Sequence, residues 1–539
     1  MWNHIKVDTF NILNLILYKK IKNANGGFAS GVITLGGLQL SQITKFQPIW
    51  TTNEGGGDNI GATFYEPWPL PDGFSMLGSY AQPNNKPLFG WVLVGKDIEN
   101  GTLKPPVDYS LVWSSESSSI KKNADGYFWL PIPPTGYQTV GLVVTNSSVK
   151  PSLDKIRCVR ADLVEASVQD EWIWGGFGQT NVINVYGLAP TSKGSNGDGV
   201  QVGTFDVLVE GGTTHSLSLS CLKNEKRSLS SMPNLTQIQD LVQKYSPFIY
   251  LHPDEPYLPS SVSWFFNNGA LLYQKGNESN PIPIDSDGSE LPKGGADDET
   301  YWLDLPRDEG AQNNVKKGDL QSAVAYLHVK PMLGGMFTDI CVWIFYPFNG
   351  AAKAKVMKLN IGLGKLGEHV GDWEHLTLRI SNFDGSLWKV YFAEHNKGIW
   401  VDASQVEYQN GNRVVAYASL HGHALYPHPG LVLQGNPGGN KIGLRNDAAK
   451  SNIVMDVGMK NAIVSAEYLG GSVAEPPWLN YMRKWGPKVN YDIAKELKVI
   501  QKILPKKLDI SKLFPSEVLG EDGPAGPKGK NNWSGDEII

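Results

Sequence analysis

The stretch Phe64-Tyr-Glu-Pro67, leading to Gly73-Phe-Ser-Met-Leu-Gly78, returns as Phe128-Trp-Leu-Pro131, leading to Gly136-Tyr-Gln-Thr-Val-Gly141. The copies start roughly 64 residues apart, and a period of that size means a supersecondary unit repeated around or along an axis. Trp172-Ile-Trp174 to Gly203-Thr-Phe205 falls where a third, decayed copy belongs. From Gly37 to Asn224, β-branched and aromatic residues alternate with Gly, Pro and Asn, the pattern of short strands and tight turns, and helical periodicity is nearly absent. The reading is an all-β-dominated protein whose N-terminal part is a repeated β module, a β-prism or a set of β-sandwich repeats.

Beyond this module, Lys223 to Met232 is charged and Ser-rich and reads as a linker. Asn234 then caps an amphipathic helix with Leu235, Ile238, Leu241, Val242 and Tyr245 at helical spacing, which opens a second domain. Strand-like alternation recurs at Ala323 to Lys330, Ile340 to Tyr346, His375 to Ile380, Trp388 to Glu394 and Arg413 to Leu420, as in a C-terminal β-sandwich with a few helices. The Gly- and Asp-rich run from Asn277 to Gly310 reads as a long loop. Asp492 caps a further helix carrying Ile493, Leu497, Ile500 and Leu504, and Gly520-Glu-Asp-Gly-Pro-Ala-Gly-Pro-Lys-Gly-Lys reads as a tail extended over the surface. The expected boundaries are 1–36 for an N-terminal extension, 37–222 for the repeated domain, 223–233 for the linker, 234–515 for the C-terminal domain and 516–539 for the tail.

At 539 residues there is enough chain for several cores, and 59 Gly and 34 Pro beside 17 Trp, 21 Tyr and 18 Phe describe a turn-rich globular protein, not a disordered one. A formal charge of -5 gives no basic footprint, which excludes nucleic acid as the expected partner. Cys158, Cys221 and Cys341 are odd in number and widely spaced, so they read as buried small hydrophobes in a reducing compartment. The apolar run Phe10 to Tyr18 is too short to span a bilayer and lacks a small-residue cleavage site. The expected location is cytoplasmic or peripheral to a membrane, with no signal peptide and no transmembrane helix.

Six of the ten His fall between His369 and His428. In Gly367-Glu-His369-Val-Gly-Asp372-Trp-Glu374-His375-Leu-Thr-Leu-Arg-Ile the second half has strand character, so Asp372 and Glu374 project from one face and His369 swings in from a Gly-flanked loop. Two carboxylates and an imidazole make a candidate site for a divalent cation (Mg, Ca, Mn or Zn) with positions open to a ligand. Without a cation the carboxylates repel and one is held protonated. The competing reading is a solvated strand face with Trp373 packed inward. His421-Gly-His423-Ala-Leu-Tyr-Pro-His428-Pro-Gly430 adds three imidazoles that can complete the site, form a second one, or let His421 move protons. Its competing reading is a turn whose His side chains bond to backbone. Glu394, His395 and Asp402 lie between the two segments on an expected hairpin and are weaker candidates. No Gly-x-Ser-x-Gly elbow is present, and Gly362-Leu-Gly364 and Gly438-Gly439 lack the context of a phosphate loop. Ala351 to Lys365 alternates Lys with apolar residues and is read as a helix, packed on the core with solvated lysines or lying on lipid.

Ile43-Thr-Lys-Phe46, Ala62-Thr-Phe-Tyr-Glu-Pro67, Leu251-His-Pro-Asp-Glu-Pro-Tyr-Leu-Pro259, Gly367 to Arg379, Leu420 to Gly430 and Gly523-Pro-Ala-Gly-Pro-Lys528 resemble the plant family called vacuolar protein sorting-associated protein 62, or domain of unknown function 946. The resemblance runs from about Gly31 to Asp536 and is specific for membership, while the family's biochemistry is unassigned. The Pro-x-Gly-Tyr-x-x-x-Gly repeats are similar to the adaptor-binding β-repeats of lipid-transfer vacuolar sorting proteins, which implies a protein or peptide partner there. His369-x-x-Asp372-x-Glu374 with Trp373 is similar to the Gly-His-Arg-His-Asp-Trp-Glu heptad of necrosis-inducing, ethylene-inducing peptide-like proteins. That likeness implies a cation site on His369, Asp372 and Glu374 of a membrane-active β-sandwich. Tyr346-Pro-Phe-Asn349 falls where the cytolysins carry an acidic ligand, here Asn349, and the heptad's second His is Gly371.

The leading expectation is a cation-assisted binding protein acting on membrane lipid head groups or a glycan, with Asn349, His421, His423 and His428 as supporting ligands. A homo-oligomeric, pore-forming plant defence protein is its variant. The competing classes are a metal-dependent hydrolase using His421 or His423 for proton transfer, and a trafficking scaffold that binds protein without a metal.

Overall fold

The computed structural model describes residues 27–116, 118–175, 183–209, 217–295, 299–356, 358–394, 397–434, 442–488 and 523–538. The apolar N-terminal run and the helix expected after Asp492 lie outside these residues.

Three antiparallel meanders build the N-terminal module. They pair Phe46–Thr51, Ala62–Pro67 and Tyr80–Pro83; then Asp108–Ser114, Tyr127–Ile132 and Val143–Thr145; then Val164–Gly175, Ile183–Pro190 and Phe205–Val209. The decayed third copy is therefore a full structural repeat. Each meander sends one Trp and one Phe inward. Trp50, Trp113 and Trp174 form a triangle with ring centroids 6.0, 5.8 and 6.2 Å apart. Phe64, Phe128 and Phe205 form a second triangle at 4.9, 5.4 and 6.1 Å. Gly78, Gly141 and Thr204 meet where the repeats converge: a Cβ on Gly78 would stand 2.9 Å from the Gly141 Cα and 2.4 Å from the Thr204 Cγ2. The repeated Gly of the sequence motif is thus a packing requirement.

The second part of the chain starts with the helix Leu235–Tyr245, closed by a capping box in which Asn234 accepts from the Gln237 N–H (3.0 Å) and Gln237 accepts from the Asn234 N–H (2.9 Å). It packs on a six-stranded sheet in the order Lys397–Asp402, Leu387–Glu394, His369–Ser381, Phe337–Asn349, Ala325–Met332, Asn461–Ser465. One face, with Ile340, Val342, Ile344, Leu376, Leu378 and Ile380, shares a core with that helix and with the strands Phe248–Tyr250 and Arg413–Ala418 of a second sheet, which makes a sandwich. The opposite face, with Trp343, Phe345 and Trp373, is covered by Phe265, Phe266, Trp478, Trp485 and Trp533. The two parts are fused: Leu38, Leu40, Leu93 and Val200 of the module share a core with Met336, Phe337, Phe383 and Trp388.

Three expectations are corrected. Ala351 to Lys365 contains a hairpin, Lys353–Val356 with Leu359–Gly362, extended by Ile442–Ala448 and Gly430–Gln434. Lys alternating with apolar residues at period two is a strand period, and the hairpin obeys it. Within Asn277 to Gly310, Ile282–Pro283 and Tyr301–Asp304 pair with Leu271–Gln274, so the run is not a plain loop. The described part of the tail is not extended over the surface. From Gly523 to Ile538 it folds against the sheet, with Trp533 buried and stacked on His328 at 3.7 Å.

Candidate functional site

Along the strand His369–Ser381 the even residues Leu376, Leu378 and Ile380 fill the sandwich core, and the next two places in the same row are Glu374 and Asp372. On one side the strand stays paired throughout, with Tyr346 opposite Asp372, Ile344 opposite Glu374 and Asn349 opposite His369. On the other side the ladder to Leu387–Glu394 runs only from Ile380 to Leu376. Beyond Leu376 lies a cavity of about 560 Å³ lined by His369, Asp372, Glu374, Lys353, Lys397 and Lys530, among others. The sandwich core thus ends in two acids facing a cavity.

The acids are not equivalent. Asp372 Oδ2 lies 3.2 Å from Nδ1 of His423, a fully buried ring stacked on Tyr346 at 3.8 Å. Its Nε2 lies 3.1 Å from the Tyr257 carbonyl and 3.7 Å from Glu255 Oε1. Burial alone would strip the His423 proton. The carboxylates of Glu255 and Asp372 outweigh burial and raise its pKa to about 10, so it is an imidazolium between two acids. Burial also works against charge on Asp372, but the His423 hydrogen bond wins and lowers it. Glu374 is 7% exposed, and among the described residues no group donates a hydrogen bond to it. Burial first, then the charge of Asp372, pushes it well above the usual carboxylate range.

His369 Nδ1 lies 2.7 Å from the Gly371 carbonyl. If that nitrogen carries the proton, Nε2 keeps a lone pair for a ligand. Of the supporting candidates, Asn349 lines the cavity and donates to the carbonyl of Gly367 at 2.7 Å. The other three do not line it. His423 has both nitrogens engaged, His421 uses Nδ1 on the Ala351 carbonyl at 2.9 Å, and His428 is exposed. The positive φ of His421 (71°) and His423 (54°) turns the chain so that one ring reaches Asp372 and the other reaches Ala351. Of the weaker candidates, Asp402 pairs with Lys86 at 2.5 Å, Glu394 is half-buried, and His395 lies outside the described residues.

Sequence reading missed the tail's share of the site. Lys530 donates to the Trp373 carbonyl at 2.9 Å. Glu537 accepts from Thr377 at 2.5 Å and from Asn532 at 3.0 Å and lies 3.0 Å from His375 Nε2; burial opposes its charge, but His375 holds it down to about 2. Arg379 joins Asp339 (2.8 Å) to Asp536 (2.7 Å), and the buried Lys330 ammonium donates to the carbonyls of Asn532 and Gly535. The one signal in the sequence was Trp533, a large apolar side chain in a polar tail.

Carboxylate, carboxylate and imidazole are the right donors in kind for a hard divalent cation. Among the described residues no three His, Cys, Asp or Glu side chains stand gathered around one point. His369, Asp372 and Glu374 thus supply the donor types of a cation site, without the geometry of a formed one. No helix of the described residues is long and apolar enough to cross a membrane.

Likeness to solved structures is distant. GNIP1Aa from Chromobacterium piscinae is 18% identical, with a TM-score of 0.28 over 38% of this chain and 40% of that one. NLPPya, solved in complex with glucosamine, is 13% identical, with a TM-score of 0.21 over 36% and 70%. Necrosis and Ethylene inducing Protein 2, from the causal agent of cocoa's Witches Broom disease, is 14% identical, with a TM-score of 0.19 over 44% and 84%. No curated protein gives a significant match. A family model does, over residues 13–537, and the chain therefore belongs to the family described as vacuolar protein sorting-associated protein 62.

Proposed function

We propose that the protein is a divalent-cation-assisted binding protein whose C-terminal cavity takes a small polar group, the head group of a membrane lipid or a glycan. The supporting observation is Glu374: a buried residue, 7% exposed, whose carboxylate has no hydrogen-bond donor among the described residues, two residues from a second buried acid and facing a cavity of about 560 Å³. A buried acid in that position stays neutral or recruits a positive charge. The volume is that of a site for a small molecule rather than a lone ion. His369, Asp372 and Glu374 would hold the cation, which supplies a positive centre for oxygens of the ligand. His423 would keep Asp372 ionised and aimed.

Paramagnetic Mn²⁺ is the direct probe. Wild type should bind one ion, seen as loss of the free-ion resonance, and Glu374→Gln should weaken binding by at least about tenfold, the size of one lost charged ligand. Equal binding by wild type and Glu374→Gln, or none by wild type, removes the cation from the function.

A further inference from the structure

The cavity that holds the acids also holds cations. Lys353 comes from the hairpin strand Lys353–Val356, Lys397 from the strand Lys397–Asp402, Lys530 from the tail and Arg445 from Ile442–Ala448. Two of these four are occupied within the protein. Arg445 is spent on Asp447 and Asn360, and Lys530 donates to the Trp373 carbonyl and lies 5.6 Å from the centre of the Trp343 ring. Lys353 and Lys397 have no carboxylate partner among the described residues. One cavity is therefore lined by a buried acid without a donor and by two lysines without a carboxylate partner among the described residues, Lys353 half-buried and Lys397 exposed at its rim.

A neutral sugar satisfies neither charge. A hydrated metal ion alone satisfies Glu374 but adds positive charge beside the lysines. An anion alone meets the lysines but lies against Asp372 and leaves Glu374 without a partner. A cation carrying an anion meets all of them together: the metal faces the acids, and the outer oxygens face the lysines. Phosphate suits this best among common anions, because its several oxygens let it bridge a hard cation and two ammonium point charges at once.

We infer that the ligand of this cavity is a phosphate ester bound through the cation, with Lys353 and Lys397 as its specificity-determining residues. The inference rests on the cation reading given above, and the experiment separates the two. The full-length protein is titrated with Mn²⁺ alone, then with glycerol 3-phosphate with and without Mn²⁺, with galactose as the neutral control. Wild type should bind glycerol 3-phosphate at least about tenfold more tightly when Mn²⁺ is present. The double variant K353Q/K397Q should keep Mn²⁺ affinity within about threefold and lose about tenfold or more for glycerol 3-phosphate, since only the lysine contacts are removed.

Sedimentation with vesicles of phosphatidylcholine containing one part in five of phosphatidic acid then distinguishes a lipid source from a free one. Pelleting with these and not with pure phosphatidylcholine supports a lipid phosphate. Soluble binding without pelleting supports a free phosphate ester. If Mn²⁺ binds but glycerol 3-phosphate does not, or if the lysine variant binds it as wild type does, the phosphate assignment is overturned and the cation site stands. If Mn²⁺ does not bind wild type, the cation reading falls and takes this inference with it.

Discussion

With Asp372 at one ring nitrogen and Glu255 with the Tyr257 carbonyl at the other, His423 is a cation inside the protein. Its pKa is about 10 in the folded chain against an ordinary value near 6.5. The stability it contributes is complete below about pH 6.5 and is lost as pH rises through about 10. Glu255 and Asp372 are shifted down, so their contribution is present above the usual carboxylate range and is lost on acidification. Urea unfolding between pH 7 and 10.5 should show stability falling, and His423→Gln should flatten that slope while costing about 3–5 kcal/mol at pH 7, the cost of breaking a buried ion pair. Glu374 has the opposite sign. Its raised pKa means that the folded state holds a proton which the unfolded state releases above about pH 4.3, so it subtracts stability as pH rises from there. Glu374→Gln should therefore be the more stable protein at pH 8 in chelator, and the order should reverse in saturating Mn²⁺. A thermal melt of both proteins with and without the ion checks this, and an unchanged order argues against a cation at Glu374.

Among the elements, the three meanders owe their close approach to Gly78 and Gly141. Gly78→Ala puts a methyl 2.4 Å from the Thr204 Cγ2 and 2.9 Å from the Gly141 Cα, and should cost about 1–3 kcal/mol as overpacking does. Adding Thr204→Ser removes the nearer clash, keeps the hydroxyl that donates to the Val140 carbonyl at 2.6 Å, and should restore part of the loss in the same denaturation assay. These elements were legible because a repeated motif and its period are local information. The helix behind Asn234 was legible for the same reason, and Asn234→Ala should cost about 1 kcal/mol. The hairpin Lys353–Val356 with Leu359–Gly362 was misread because its lysines were assigned to a helix face. Alternation at period two was the better signal. At the site, the spacing of Asp372 and Glu374 gave their common face, and the need for a protonated acid was foreseeable from charge alone. That His423 belongs to Asp372 was not foreseeable, because it depends on which way a left-handed backbone turn throws a side chain 51 residues away.

Across the whole molecule, the module and the sandwich bury a common core that includes Leu40, Leu93, Phe337 and Trp388, with further ring contacts of Trp91 to Phe337 and Phe89 to Trp388 at 5.2 and 4.9 Å. They should therefore unfold together. Trp388→Ala should lower stability by about 3–5 kcal/mol, as loss of a buried Trp does, and should shift near- and far-ultraviolet dichroism in parallel. Separate transitions in the wild type would show instead that each part stands alone. The role of the tail was hidden from sequence reading because its Gly and Pro content speaks only of turns, while its binding site is assembled from strands far away. That distance carries a consequence for synthesis. Lys330 waits 202 residues, and Arg379 waits 157, for the tail groups that complete their coordination. During translation the sheet leaves the ribosome with these two cations lacking those partners, in an environment that cannot yet be dry. Covering of the sheet's second face, opposite the sandwich core, thus waits until Gly523–Ile538 has emerged, and for that interval the nascent chain carries an open apolar face with Trp343 and Trp373 on it, a surface prone to wrong partners.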